Sequence, residues 1–114
     1  MWPWQAKRTN QAALRFYIED TFALKAGGTV LAGRLESGHI QVGDTVFYHN
    51  PQGAFVFSCV IKAIEIPPPF HTPAQHPKFL RADNKLVYCA LMILEHQKLE
   101  FEIGGWLSEK KEPV

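Results

Sequence analysis

The stretch Ile18-Glu19-Asp20-Thr21-Phe22-Ala23-Leu24, continued by Gly27-Gly28-Thr29-Val30-Leu31-Ala32-Gly33-Arg34-Leu35-Glu36-Ser37-Gly38 and by Ile40-Gln41-Val42-Gly43-Asp44-Thr45-Val46, decides the fold. Phe16, Ile18, Phe22 and Leu24 share one face, and Tyr17, Glu19, Thr21 and Lys25 the other. A period of two belongs to a half-buried strand. Asp20 falls on the apolar face, where burying a lone carboxylate is costly, so a rim or hydrogen-bonded position is expected for it. After Ala26-Gly27-Gly28 a second strand runs from Thr29 to Glu36, with Leu31, Gly33 and Leu35 inward and Arg34 and Glu36 outward.

The same punctuation continues along the chain. Ser37-Gly38 and Gly43-Asp44 are turn signals around a short Ile40/Val42 segment. Thr45 to His49 alternates again, with Val46 and Tyr48 on one side, and Asn50-Pro51-Gln52-Gly53 turns it into one long strand from Ala54 to Ile66. Pro67-Pro68-Pro69 ends that strand, because proline cannot donate to a central ladder, and a Pro-rich loop is expected over 67–79. Leu86 to Leu94 is a further β-like run, and Trp106-Leu107 a last short strand. No stretch of ten residues keeps a 3.6-residue period. Six or so short strands separated by turns predict an all-β barrel or sandwich. The 114 residues suffice for one core, with an N-terminal arm at 1–13, the β domain at 14–109 and a tail at 110–114.

Composition excludes several classes. No apolar run approaches the roughly 20 residues of a membrane span, and the Met1-Trp2-Pro3-Trp4 start lacks a secretory pattern, so a cytoplasmic location and no membrane contact are expected. The net charge is +1, without the basic excess of a strong nucleic-acid binder, so autonomous RNA affinity is expected to be weak. Cys59 and Cys89 sit in apolar segments and read as two buried thiols, with a disulfide across paired strands as the alternative. They form no CxxC knuckle. The histidines, including His71 and His76 in the Pro-rich loop and His49 at a strand end, read as solvated side chains rather than metal ligands. No serine or cysteine carries a nucleophile signature, and no GxxxxGK[ST] loop is present to cradle phosphates. The expectation is a non-enzyme without nucleotide, metal or cofactor.

The quoted stretch resembles domain 2 of elongation factor Tu and the translational GTPases, which runs I-E-D-x-F, then G-x-G-T-V-x-x-G-R-x-E-x-G, then a V-G-D turn, in the same order over about thirty residues. Ile64-Glu65-Ile66, Ala82-Asp83-Asn84 and Gly105-Trp106-Leu107 resemble later pieces of the family pattern. The resemblance implies a closed six-stranded Greek-key-like β-barrel, standing here without the GTPase domain. It also implies a pocket for the aminoacylated 3′ end of transfer RNA, built from Glu19, Asp20, Phe22, Glu65 and Asn84. Two positions depart from the family: Gly27 stands where arginine is common and Ala32 where threonine is common.

Two functions remain open at the level of sequence. One is a non-catalytic module that contacts transfer RNA, the ribosome or another translation factor through Glu19, Asp20, Phe22, Glu65 and Asn84, with Arg34 either a ligand contact or a surface ion pair. The other is a protein-interaction module that uses the barrel as scaffold and presents Trp2, Trp4 and Phe70 to a protein partner.

Overall fold

The computed structural model describes residues 13–68, 73–83 and 85–111. Nine strands occur among them: β1 (Arg15–Ala23), β2 (Thr29–Ser37), β3 (His39–Gln41), β4 (Thr45–His49), β5 (Phe55–Val60), β6 (Ala63–Glu65), β7 (Phe79–Arg81), β8 (Val87–Ile93) and β9 (Trp106–Ser108). A single 3₁₀ turn at Lys98–Glu100 precedes β9. The domain is all-β, as the alternation predicts.

Seven strands form one sheet in the order β5-β4-β9-β1-β2-β8-β6, and β3 pairs with β7 in a separate ribbon. The expected count of six differs because the long strand 54–66 breaks at Ile61-Lys62. Before the break β5 pairs with β4; after it β6 pairs with β8. The backbone bonds show the handover. Ile61 N–H donates to Asp44 O (3.0 Å) and Ile61 O accepts from Gly43 N–H (2.8 Å), whereas Lys62 N–H donates to Met92 O (2.8 Å). The two edges of the sheet are therefore two halves of one chain segment, and the sheet is strongly curled. Side chains assist along β5. Glu95 Oε1 accepts from Val60 N–H (2.7 Å), and His96 lies flat on Phe57 (3.7 Å between centroids) with Nε2 3.2 Å from Ser58 O. The expected loop at 67–79 also carries structure: Gln75 bridges Ile66, and β7 begins at Phe79.

Inward residues fill the interior: Phe16, Ile18, Leu31, Leu35, Ile40, Ile61, Ile64, Leu91, Ile93 and Leu107 are all fully or almost fully buried. Tyr48 is buried with them, and its hydroxyl accepts from Glu102 N–H at 2.7 Å, which pairs the polar end of an otherwise apolar ring. Phe101 closes this end of the core, edge-on to both Tyr48 and Phe57. Cys59 and Cys89 are buried and unbonded, and burial pushes both thiols up to about 12, so they persist as unreactive thiols at neutral pH. His49 overturns the solvated reading. It is fully buried, stacked on Trp106 (5.5 Å, 13°), with Nε2 3.0 Å from Lys110 O and 2.8 Å from Ser108 Oγ.

The feature that shapes β1 is a bulge. Ile18 faces Gly33 and Asp20 faces Ala32, so Glu19 is an extra residue with no partner in β2. Gly33 is required opposite it: a Cβ there would lie 1.9 Å from Tyr17 O. Gly33→Ala is expected to lower stability by about 3 kcal/mol through this clash, measured by urea unfolding; a loss under about 1 kcal/mol would contradict the packing described.

The 3₁₀ turn gives a pH signature. Glu100 Oε2 accepts from Gln97 N–H (2.7 Å) and Oε1 lies 2.9 Å from His96 Nδ1. The Gln97 bond first, then His96, holds the Glu100 carboxyl below its ordinary 4.5. A carboxyl whose value is depressed on folding contributes stability above its unfolded value and loses it as pH falls through the folded one. Melting temperatures should place native protein above Glu100→Gln at pH 7, with the gap closing as pH drops below 4.5; a gap that stays constant to pH 3 would refute it.

Candidate functional site

The bulge at Glu19 reverses the phase of β1 halfway along. Before it, Phe16 and Ile18 point inward; after it, Thr21 does, at 5% exposure. Phe22, expected inside with Phe16 and Ile18, is instead 51% exposed, and Thr21, expected outside, is buried. The same step resolves Asp20. It is exposed, and its Oδ1 accepts from Thr21 N–H at 2.8 Å.

Strand registers then collect the outward residues into rows. Asp20 pairs with Ala32, Ala32 with Ala90, and Ala90 with Glu65. These four positions run across β1, β2, β8 and β6. At about 4.8 Å per strand the row is roughly 14 Å long. On one side lies Phe22–Val30–Met92–Ala63, and on the other Tyr17–Arg34–Tyr88. Two alanines thus floor a shallow trough with one apolar wall, a second wall of two tyrosines around Arg34, and the carboxylates of Asp20 and Glu65 at its ends. The Glu65 end deepens into an open cleft of about 80 Å³, lined in part by Val30, Glu65, His76, Ala90 and Met92.

The two arginines near the trough, Arg15 and Arg34, are committed to partners. Arg34 Nη1 donates to Glu19, its Nε donates to Glu36 at 2.9 Å, and its guanidinium lies 4.3 Å over the Tyr17 ring. The Glu36 hydrogen bond above all raises the Arg34 value further. Arg15 Nε donates to the other oxygen of Glu36 (3.1 Å) and stacks 4.4 Å over Trp106. The result is a surface chain Arg15–Glu36–Arg34–Glu19 beside the trough.

Of the residues singled out from sequence, Glu19, Asp20, Phe22, Arg34 and Glu65 fall on this one face. Asn84, Trp2, Trp4 and Phe70 lie outside the described residues. Sequence reasoning passed over Val30, Ala90 and Met92, which sit in runs that read as plain strand, and it registered Ala32 only as a lost threonine. Among the described residues no group of three histidine, cysteine or acidic side chains is placed to hold a metal, and no helix is long and apolar enough to cross a membrane.

The fold and the sequence point the same way. The architecture is that of a β domain found within translation elongation factors, and the sequence resemblance to those factors holds. Elongation factor 1-alpha of Caldivirga maquilingensis is 52% identical over 33 residues, covering 29% of this chain and 7% of that protein. Elongation factor 1-alpha of Thermofilum pendens is 37% identical over 62 residues, covering 54% and 13%. Among solved structures, the translation elongation factor SelB of Methanococcus maripaludis superposes on 86% of this chain and 19% of its own, with a TM-score of 0.66 and 19% identity. A bacterial selenocysteine-specific elongation factor, EF-Sec, superposes on 88% and 15%, with 0.63 and 21%. The chain thus spans less than a fifth of the length of each of these proteins. No family model matches it.

The bulge makes a direct prediction about side chains that look alike in sequence. Phe16→Ala should cost about 3–5 kcal/mol, whereas Phe22→Ala should cost about 0.5 kcal/mol or less. Chemical denaturation of the two variants checks it, and similar losses at both positions would place Phe22 back in the core.

Proposed function

We propose that this chain is a non-catalytic binding module of the translation apparatus, and that its outer trough receives the nucleoside end of an RNA, in the first instance the 3′ end of transfer RNA. The observation carrying this reading is the row Asp20–Ala32–Ala90–Glu65, with Phe22, Val30 and Met92 along its side. The chemistry follows from the groups. Carboxylates accept only, so Asp20 and Glu65 suit ribose hydroxyls, base amino groups or the ammonium of an aminoacyl ester. They also repel phosphates, and the nearby Arg34 is neutralised by Glu19 and Glu36. The trough therefore favours a terminal nucleoside, whose hydroxyls and amino groups are donors, over a phosphate backbone. The apolar wall offers a surface for a base or ribose face. The floor depends on alanine, since any larger outward side chain at positions 32 or 90 would fill it.

The same reading takes the curled sheet as a closed barrel of six chain segments, β5 and β6 counting as one, and places the protein in the cytoplasm, where translation occurs. The resemblance to elongation factors supports both.

The test is direct binding of charged and uncharged transfer RNA to the native chain, Ala32→Leu and Glu65→Ala, by filter retention at low salt. Ala32→Leu should weaken binding at least about tenfold by blocking the floor, and Glu65→Ala by about tenfold through loss of a charge-assisted acceptor. Removing the 3′-terminal adenosine should abolish the difference between native and variant. If Ala32→Leu binds transfer RNA as tightly as the native protein, the trough is not the site.

A further inference from the structure

The ribbon of β3 and β7 is separate from the trough and buries only one face. Ile40 is fully buried and Leu80 packs against the core, while His39, Gln41, Phe79 and Arg81 alternate outward. His39 pairs with Arg81 and Gln41 with Phe79, so the four form an exposed two-by-two block. Phe79 is 44% exposed, although His39 leans toward it (5.5 Å between centroids, 31°) and the Arg81 guanidinium lies 5.7 Å from its ring.

Arg81 differs from Arg15 and Arg34, which donate to Glu36 at 3.1 and 2.9 Å. It stands 3.9 Å from Asp83, with side chains 59% and 77% exposed. At that distance and exposure the pair contributes little. Lys78 and Lys85 are exposed to either side. Segment 78–85 thus holds three cations and one carboxylate, in a chain whose net charge is only +1. An accessible ring beside a weakly held guanidinium and flanking lysines is the combination on which unpaired bases stack while phosphates are neutralised.

From this arrangement we infer that the outer face of the β3–β7 ribbon binds a single-stranded polynucleotide, one base stacking on Phe79 and neighbouring phosphates meeting Arg81, Lys78 and Lys85. A net positive charge, three cations against the single carboxylate of Asp83 in segment 78–85, favours a polyanion. The open ring selects a single strand over a duplex, whose bases already stack on one another. The inference rests on residues other than those of the trough and stands whether or not the trough holds a nucleoside.

The experiment uses the full chain and a fluorescein-labelled twelve-nucleotide oligouridylate, its deoxy counterpart and an RNA duplex of equal length, followed by anisotropy from about 50 mM salt upward. Single strands should bind more tightly than the duplex. Three phosphate contacts should give a slope of log affinity against log salt near about −2. Phe79→Ala and Phe79→Leu should each weaken binding about tenfold, with circular dichroism unchanged because the ring is exposed, and Phe79→Trp should retain it. Arg81→Ala should flatten the salt slope. Ala32→Leu should leave this binding intact, which separates the ribbon from the trough. Phe79-dependent binding of either single strand supports the inference and tells RNA from DNA as its source. Absence of binding at the lowest salt, equal affinity for the duplex, or indifference to Phe79→Leu would overturn it.

Discussion

The contact between the Tyr17 carbonyl and the bare Cα of Gly33 underlies most of what this domain presents to its surroundings. Only a residue without a side chain tolerates that approach, and the approach lets β1 take in Glu19 as an extra residue without leaving its ladder with β2. One inserted residue changes which side of the sheet every later side chain occupies. Thr21 therefore goes in, and Asp20 and Phe22 come out. The carboxylate that would be costly inside becomes one end of a surface trough, and the phenylalanine that would serve the core becomes part of its wall. Packing at one glycine and the chemistry of the outer face are in this sense a single arrangement.

A second constraint acts at Ile61-Lys62. There the segment that began as the neighbour of β4 becomes the neighbour of β8, so the sheet is held at both rims by the same stretch of chain. This places Glu65 in register with Ala90, and through Ala90 and Ala32 with Asp20. Residues 45 positions apart in sequence are thereby aligned on one line without any contact between them. The alanines between them matter by being small: they keep the space open that threonine or leucine would occupy.

Much of the architecture was legible from alternation and turns. Leu31, Gly33 and Leu35 point in, Arg34 and Glu36 point out, Val46 and Tyr48 share a face, and Trp106-Leu107 closes the set, because in each case period and punctuation agreed. The misreadings have definite causes. Strict alternation carried through Glu19 put Phe22 inside, since a bulge leaves no mark of its own beyond an anomalous Asp20 and a distant glycine. The strand at 54–66 read as one because the chain stays extended through Ile61-Lys62; only its partners change. His49 read as solvated because a polar ring at a strand end usually is, whereas Trp106 and the carbonyl of Lys110 enclose it here. The candidate trough was legible at its ends, where charged residues draw notice, and not along its floor, where Ala32 and Ala90 leave space by what they lack.

The rims of the sheet bear on how the molecule behaves in a crowded solution. An unpaired strand edge is a template on which another chain can build, and nearly half of the whole chain's residues are hydrophobic. Here both rims come from one stretch, and along β5 the carboxylate of Glu95 and the ring of His96 already occupy backbone groups that a foreign strand would seek. Side chains thus serve as blunt stops to edge-to-edge pairing on a β-rich surface that also carries exposed aromatic rings.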